Sequence, residues 1–353
     1  MFSERVRNLD GSPIQGPVLS LAPMQDITDL AFMRVMSEYG GGPDYFVTEY
    51  FRVHRDSSPE KKILKSITEN QTGRPVFAQM IGMDVPSLVK NSNILLDYDV
   101  AGMDINLGCP APTVCRKEAG GGLLRNLDRV NEILAAMREV CSAKGKMFTV
   151  KTRIGYETAD EFTAILDVFA SHEIDALAIH GRTVKDKYQT PVREQYVKAA
   201  VERMKCPVMA NGNVVNVATG IAYHERTGAA GLMVGRGAIR SPWIFQQLRQ
   251  SYAGEKVLEP TRKDLRGYID LLFHEIAKEW LEYDEVKHVN KMKKYMIYIA
   301  QGVDSEFEHQ IRRVRNEQGF FDICDSFMDN DDLLPDLPPE NSKLFCGFKT
   351  LLE

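Results

Sequence analysis

Short apolar or β-branched runs alternate with helical patterns along the chain from residue 18 to about residue 252. Runs of this kind predict β-strands, and apolar residues that recur every three or four positions predict amphipathic helices. The predicted strands are residues 18–24, 44–50, 75–81, 100–107, 147–153, 176–180, 207–210 and 231–234. The predicted helices are residues 29–39, 58–68, 85–96, 127–141, 159–171, 193–204 and 217–226. Eight such units favour an α/β fold of the (β/α)8 TIM-barrel type over an open doubly wound sheet.

Beyond Pro242 the pattern changes to helices without strands. Residues 258–328 predict three or four helices, and residues 329–353 are rich in acidic residues and prolines, which predicts a loosely ordered extension. We therefore expect a barrel domain over residues 1–252, a small all-helical domain over residues 258–328 and an acidic C-terminal extension over residues 329–353.

The composition, 44% hydrophobic and 26% charged over 353 residues, is that of an ordinary soluble globular protein. The sequence contains neither an apolar run of about 18 residues nor a signal-peptide pattern, so we expect a cytoplasmic protein without a membrane partner. Residues 325–353 carry seven acidic residues against two lysines, which accounts for the net charge of −5 and leaves the rest of the chain neutral. Charge alone therefore neither favours nor excludes an RNA partner.

Polar residues stand at the C-terminal end of each predicted strand, the edge where barrel enzymes carry their active sites. In chain order these include Gln25, Glu49, Gln79, Asn106, Lys151, His180, Asn211 and Arg236. Lys151 interrupts an apolar run, and a charge there is costly without a partner. A complete ring of such residues predicts a functional site.

Cys109 occupies a Gly-Cys-Pro corner just after the fourth predicted strand. A cysteine beside a turn is more often structural, but its position at the functional edge of a barrel favours a reactive thiol. Cys115 is a second thiol on the same segment, and a cytoplasmic chain would keep both reduced. The six cysteines show no CxxC pair and no zinc-ligand spacing, so we expect no metal.

Glycine-containing segments follow the last two predicted strands, at Asn211-Gly212-Asn213 and Gly235-Arg236-Gly237. Barrel enzymes often bind a phosphate group at these two loops through glycine N–H groups. Two ordinary turns are the alternative explanation. A phosphorylated cofactor across the barrel mouth fits the pattern, with Arg236 supplying the positive charge.

Two basic clusters, residues 287–295 and 309–315, lie on adjacent predicted helices of the C-terminal region. A solvated helix face is the ordinary explanation of such clusters. Contact with an RNA backbone explains them equally well. The candidate contacts are Lys291, Lys294, Arg312 and Arg315.

Taken together, these motifs resemble those of the tRNA-dihydrouridine synthases. The most specific element is Asn106-Leu107-Gly108-Cys109-Pro110 followed by the glycine triplet at 120–122. Supporting segments in family order are Gln79-Met80, Lys151-Thr152-Arg153, His180-Gly181-Arg182-Thr183, Ala210-Asn211-Gly212 and Gly235-Arg236-Gly237-Ala238. The likeness runs from Leu21 to the helical region, and residues 48–53 look most like a bacterial subgroup.

The resemblance implies an FMN-binding barrel, with NADPH or NADH as the reductant of the flavin. Residues 23–25 (Pro23, Met24, Gln25) would lie under the isoalloxazine ring, with Gln79, Lys151 and His180 at its edge. Asn211, Gly212, Asn213, Gly235 and Arg236 would hold the phosphate. Hydride would pass to C6 of a flipped-out uridine of tRNA, and Cys109 would protonate C5.

Asn106 and Arg182 would bind the uracil, and the helical region would bind tRNA, with the protein acting as a monomer. An FMN barrel dehydrogenase of a free pyrimidine, or of another small molecule, is an alternative with the same chemistry. A non-catalytic RNA-binding barrel and a phosphate-binding aldolase or isomerase that uses Lys151 are further alternatives. The last leaves Cys109 and Gln79 unexplained.

Overall fold

Parallel strands at the centre of the computed structural model, which describes residues 2–345, form the predicted barrel. Residues 346–353, with Cys346, lie outside the described residues. Within residues 2–345 there are nine strands: β1 Val18–Leu21, β2 Phe46–Val47, β3 Phe51–Arg52, β4 Val76–Ile81, β5 Gly102–Leu107, β6 Met147–Arg153, β7 Ala176–His180, β8 Val208–Asn211 and β9 Gly231–Val234. The eight predicted strands are thus confirmed; the second is reduced to Phe46–Val47, and β3 follows just after its predicted range.

The sheet closes on itself between its first and second strands. Its order is β1-β9-β8-β7-β6-β5-β4-β2, with β3 also beside β4. A parallel bridge between Ser20 and Tyr45 joins the two ends. Next to it the carboxylate of Asp44 accepts a hydrogen bond from the N–H of Leu19 at 2.7 Å. A side chain therefore completes a ladder that the two-residue β2 is too short to finish.

The predicted strand 44–50 is interrupted after Val47, because a side chain replaces a backbone partner. The N–H of Gln79 donates to the hydroxyl of Thr48 at 3.1 Å. The chain thereby leaves the regular ladder, and Glu49 and Tyr50 occupy the rim of the barrel before β3 resumes the pairing with β4.

Helices surround the strands, and apolar side chains fill the space between the two layers. The barrel helices are α1 Phe2–Arg5, α2 Leu30–Glu38, α3 Lys61–Thr68, α4 Val85–Leu95, α5 Pro112–Cys115, α6 Leu127–Ala143, α7 Phe162–Ala170, α8 Glu194–Arg203, α9 Val217–Thr227, α10 Arg236–Arg240 and α11 Ile244–Tyr252. Phe2 packs on Tyr45 and Phe77 at the N-terminal end of the strands. That end is therefore filled, and the opposite end is left for a site.

Four further helices follow the barrel in the described chain: α12 Arg262–Glu279, α13 Glu285–Ile299, α14 Ser305–Ile311 and α15 Glu317–Met328. They pack on the barrel beside α2, where the rings of Tyr295 and Phe32 stack with centroids 5.5 Å apart. The hydroxyl of Tyr295 donates to the carbonyl of Ile27 at 2.8 Å, and that of Tyr268 donates to the carbonyl of Ile239 at 3.0 Å. These buried bonds fix the helices against the loops at the barrel mouth.

Contrary to the expected loosely ordered extension, residues 331–345 pack against the rest of the protein. Leu333 pairs with Thr261 in an antiparallel bridge. The guanidinium of Arg240 donates to the carbonyls of Gln301, Pro335 and Asp336. Because Arg240 is only 7% exposed, these carbonyls satisfy a buried charge, and the packing has a local cause. No described helix is both long enough and apolar enough to cross a membrane.

Candidate active site at the barrel mouth

The structure brings the predicted polar ring together at the C-terminal ends of the strands. Neighbouring strands place Asn106 beside Lys151, and His180 beside Asn211, as Cα partners. Gln79 lies one strand further along, opposite Asp104. Parallel register therefore converts residues that are far apart in sequence into one continuous band.

Three of these side chains form a chain of hydrogen bonds that ends at Cys109. Gln79 donates to the carboxylate of Asp104 at 2.7 Å and accepts from the amide nitrogen of Asn106 at 2.8 Å. The amide oxygen of Asn106 accepts from the N–H groups of Gly108 and Cys109 at 3.0 and 2.9 Å. The corner that carries the thiol is thus tied to the barrel interior.

Lys151 is half-buried, and its partner is a neutral amide. Its ammonium donates to the side-chain oxygen of Asn211 at 3.1 Å, and Asn211 in turn donates to the carbonyl of Met233 at 2.7 Å. Burial, followed by repulsion from Arg153, lowers the pKa of Lys151 to about 8. The lysine is therefore still mainly charged at neutral pH, in a position that favours an anionic or carbonyl ligand.

His180 is neutral, and Arg182 fixes its orientation. Burial lowers the pKa of His180 well below its ordinary value, and the nearby positive charges of Arg153, Lys151 and Arg182 lower it further. Arg182 lies 3.0 Å from Nε2 of His180 and donates to the side chain of Asn213 at 3.0 Å. Since a guanidinium only donates, Nε2 must accept, which leaves the ring proton on Nδ1.

The two thiols on the chain after β5, Cys109 and Cys115, differ in their exposure to solvent. Cys109 is partly exposed, whereas Cys115 is 6% exposed and its thiol donates to the backbone carbonyl of Cys109 at 3.4 Å. Burial raises the pKa of Cys115. Gly121 donates its N–H to the same carbonyl at 3.1 Å, and a Cβ there would lie 2.9 Å from that oxygen. The glycine triplet is therefore needed for close packing on the Cys109 corner.

The two predicted phosphate loops lie side by side. Gly212 has φ +134° and Asn213 has φ +51°, so both adopt backbone conformations that few L-residues reach. A Cβ on Gly237 would collide with the carbonyl of Val214, which shows how closely the loops approach. Arg236 lies over the ring of Tyr188 at 4.6 Å and donates to the carbonyl of Lys343.

The residues after β1 form the remaining side of the mouth. Pro23, Met24 and Gln25 are partly buried, and Thr28 accepts a hydrogen bond from the N–H of Met24 at 2.9 Å. The side-chain oxygen of Gln25 is buried without a hydrogen-bond partner among the described residues. A Cβ on Gly235 would lie 3.7 Å from the sulfur of Met24, so the first and last loops meet.

Of the four predicted RNA contacts, the structure removes Lys291. Its side chain is 5% exposed, forms an ion pair with Asp29 at 2.7 Å and donates to the carbonyl of Asp26 at 2.8 Å. It therefore holds α13 against the loop after β1. Lys294 and Arg315 are exposed, and Arg312 is partly exposed in an ion pair with Glu308 at 3.0 Å.

Arg153 and Tyr50 lie within segments that the sequence singled out, Lys151-Thr152-Arg153 and residues 48–53, but no individual role was predicted for either residue. Arg153 is 2% exposed and donates to the carbonyls of Gly108, Thr183 and Lys187, so it joins the loops after β5 and β7. Tyr50 lies close to Cys109, and burial, followed by that neighbour, raises the pKa of Tyr50 to about 12. The signal for Arg153 was present, because it follows Lys151 by two positions on the same strand and face.

Glu49 is 1% exposed, and one of its carboxylate oxygens has no hydrogen-bond partner among the described residues. Burial, followed by the nearby charge of Asp29, raises the pKa of Glu49 to about 7. Across residues 2–345 no group of three or more His, Cys, Asp or Glu side chains is arranged to hold a metal ion.

Comparison with known proteins identifies relatives that match most of the chain. In Staphylococcus aureus (strain COL), a protein named "Probable tRNA-dihydrouridine synthase" is 28% identical over 334 residues, 91% of this chain and 97% of that protein. In Shewanella oneidensis (strain MR-1), a "tRNA-dihydrouridine(16) synthase" is 31% identical over 278 residues, 74% of this chain and 87% of that protein.

Among solved structures, a complex of 2-naphthoyl-CoA reductase with 2-naphthoyl-CoA superposes with a TM-score of 0.50 at 10% identity. The match covers 72% of this chain and 53% of the reductase, so this chain spans about half of that protein and the likeness shows the fold only. The family model described as dihydrouridine synthase (Dus) matches residues 20–330. The chain therefore belongs to the dihydrouridine synthase family.

Proposed function

We propose that this protein is an FMN-dependent, NADPH-driven enzyme that reduces uridines of tRNA to 5,6-dihydrouridine. The observation that carries the proposal is the partly exposed Cys109, held at a barrel mouth ringed by polar side chains, in a member of this family. In the reaction the C5=C6 double bond becomes a single bond, as C6 gains a hydride and C5 gains a proton.

The residues at the mouth fit a flavin mononucleotide. FMN, when bound, supplies the hydride chemistry. The unpartnered oxygen of Gln25 offers an acceptor for a ring N–H, and Lys151 offers a positive charge for an electron-rich ring edge. Gln79 and His180 would contact the ring edge, and Pro23 and Met24 its face.

For the phosphate, the adjoining loops after β8 and β9 supply backbone N–H groups at Gly212, Asn213 and Gly235 and the side chains of Asn211 and Arg236. Arg236 already lies against Tyr188, so its charge is held at the rim rather than extended into solvent. We choose NADPH as the reductant, with NADH as the alternative.

Cys109 would deliver the proton to C5 of the uracil. A thiol has an ordinary pKa of about 8.5 and is mostly protonated at neutral pH, so it can act as a general acid. Cys115 is a poor alternative, because it is buried and already donates to the backbone of Cys109. Asn106 and Arg182 would hydrogen-bond the uracil beside this thiol.

A uridine must leave the folded tRNA to reach this site, which costs a few kcal/mol and calls for a binding surface nearby. We propose residues 258–328 as that surface, with the barrel of residues 1–252 carrying the chemistry. Lys294, Arg312 and Arg315 are the cations that would contact phosphates. Lys291 has no part in it, since its charge is paired inside the protein.

The test is reconstitution of the full chain with FMN, followed by NADPH-driven reduction of tRNA from a strain that lacks dihydrouridine. We expect flavin absorption bands after removal of free FMN, and dihydrouridine in tRNA by mass spectrometry. Free uridine and ribosomal RNA serve as matched substrates. Failure to retain FMN, or faster reduction of free uridine than of tRNA, would overturn the proposal.

A further inference from the structure

We propose that Asp104 is a positioning residue that acts through Gln79 and Asn106 to hold the loop carrying Cys109 in its working geometry. Asp104 reaches the thiol only through other residues: it lies inside the barrel, is 3% exposed and is hydrogen-bonded to Gln79. The importance of that geometry for catalysis rests on the function proposed above, but the positioning itself does not.

The first step concerns the ionised carboxylate of Asp104, which has no hydrogen to donate and can therefore only accept hydrogen bonds. One carboxylate oxygen accepts from the hydroxyl of Thr149 at 2.6 Å, and the other accepts from the amide nitrogen of Gln79 at 2.7 Å. Burial raises the pKa of Asp104 to about 6, and the bonds from Thr149 and Gln79 oppose that rise. The carboxylate is therefore mainly ionised at neutral pH.

The second step is that this acceptor fixes the direction of the Gln79 amide. An amide group has nearly the same shape in both orientations, so its direction is set by its partners. With the nitrogen of Gln79 bound to Asp104, its oxygen must face the next residue. That oxygen accepts from Asn106 at 2.8 Å, and Gln79 is fully buried.

The third step is that the direction of the Gln79 amide fixes that of Asn106, which binds the loop carrying Cys109. Because the nitrogen of Asn106 donates to Gln79, its oxygen is available to two backbone N–H groups, those of Gly108 and Cys109. If either amide were reversed, an N–H would face an N–H, and buried donors would lose their acceptors at a cost of about 1–3 kcal/mol each. The carboxylate at one end of the chain of bonds and the two backbone N–H groups at the other end therefore favour the same direction of both amides.

A consequence for ligands follows from this polarity. The oxygens of both amides are occupied within the protein, and Asn106, which is 8% exposed, keeps one N–H group that the chain of bonds does not use. Such a group matches carbonyl oxygens, which both a uracil and a flavin ring carry. The chain of bonds therefore leaves a hydrogen-bond donor for an acceptor atom of a ligand at the mouth.

The experiment measures the rate at which iodoacetamide alkylates Cys109 in the full chain, followed by peptide mass spectrometry. Asp104→Leu should raise this rate about fivefold, the loosening expected when about one hydrogen bond is removed. Asp104→Asn should restore the wild-type rate, because its oxygen can still accept from Gln79 while its nitrogen donates to Thr149. The matched control is Thr149→Val, which disturbs Asp104 without touching Gln79 and should leave the rate unchanged.

A double-mutant cycle then tests whether the effect passes through Asn106. In an Asn106→Ala background, Asp104→Leu should have no further effect on the rate. The inference would be overturned if the effects of Asp104→Leu and Asn106→Ala were additive. It would also be overturned if Thr149→Val raised the rate as much as Asp104→Leu, or if Asp104→Asn did not keep the wild-type rate. If Asp104→Leu does not fold, Gln79→Met breaks the same chain of bonds and must meet the same criteria.

The two proposals fail separately in these measurements. Alkylation requires neither tRNA nor NADPH, so a chain that makes no dihydrouridine still reports the positioning of Cys109. In the reconstituted enzyme, Asp104→Leu should lower kcat with little change in KM for tRNA, because the RNA surface is untouched. A change confined to KM would contradict the positioning role.

Discussion

Lys151 at the barrel mouth and Lys291 on helix α13 are both partly or fully removed from water, but their charges have different partners. At the mouth, Lys151 donates to the neutral amide of Asn211. On α13, Lys291 has the carboxylate of Asp29 at 2.7 Å and a backbone carbonyl at 2.8 Å. The first charge is incompletely neutralised, and the second is compensated within the protein.

This difference separates a charge kept for a ligand from one kept for the fold. A half-buried cation whose hydrogen-bond partner is a neutral amide destabilises the folded state, and this cost is reflected in the lowered pKa of Lys151. A fully paired cation stabilises the fold only as long as its partner remains. Substitutions at the mouth should therefore lower the activity, and substitutions of paired charges on α13 should lower the free energy of unfolding.

The largest contrast concerns the proton donor at the mouth. Cys109→Ala should lower dihydrouridine formation by about 10²–10⁴-fold, because a positioned general acid contributes that much, and should leave unfolding unchanged. The measurement is mass spectrometry of tRNA together with a denaturant titration. Cys115→Ala is the matched control and should retain activity; the reverse result would assign the proton to Cys115.

At α13 the effect should be on stability instead. Lys291→Met should lower the free energy of unfolding by about 3–5 kcal/mol, because the buried carboxylate of Asp29 loses its partner. Lys294→Met, three positions along the same helix and exposed, should change it by less than about 0.5 kcal/mol. Chemical denaturation measures both variants, and equal stability would show that the ion pair contributes little.

Substitutions on the exposed side of α13 and in the chain after α14 should affect the binding of tRNA. Lys294→Glu combined with Arg315→Glu should weaken tRNA binding and reduce the slope of log affinity against log salt by about one for each phosphate that is no longer neutralised. Fluorescence anisotropy at several salt concentrations gives both quantities. Lys198→Glu combined with Lys205→Glu, two exposed positions on and just after α8, is the control of equal charge change, and an equal response there would move the RNA surface elsewhere.

The smallest expected effect concerns the stability of the protein without FMN and depends on pH. A lysine has an ordinary pKa of 10.5, and the folded-state pKa of Lys151 is about 8, so its charge is penalised on folding below pH 8. Lys151→Met should raise the free energy of unfolding at pH 7 by about 1–2 kcal/mol, after the loss of the bond to Asn211.

That advantage should shrink between pH 8 and pH 10.5, where folding of the wild-type protein no longer has to keep the lysine charged. Urea titrations at about pH 7 and about pH 10 measure the difference. A gain that is the same at both pH values would assign the effect to packing rather than to charge.

The barrel and most of its mouth could be predicted because strand patterns determine both. Once the strands are parallel, Gln79, Asn106 and Lys151 must meet at one edge, whatever their separation in sequence. The position of Lys291 could not be predicted in this way. A cluster of lysines on a helix gives their spacing, and only tertiary packing on Asp29 decides which lysine is buried.

The role of Asp104 and the packing of the C-terminal segment were hidden for a similar reason. Asp104 is one polar residue within a motif, and its function depends on an amide from another strand, 25 residues earlier. Composition suggested that residues 329–353 would be loosely ordered, because it counts acidic residues and prolines. Composition does not show that the buried Arg240 needs carbonyl oxygens and that this segment supplies them.

The contacts of Arg240 also have a consequence for the order of events during synthesis. Its carbonyl partners at Gln301 and Pro335 follow it by 61 and 95 residues. A ribosome that adds about 5–20 residues per second needs about 5–20 seconds to make the second of them. All nine strands of residues 2–345 are synthesised before that moment, so the rim next to Arg236 completes its bonding late, on a barrel whose strands are already made.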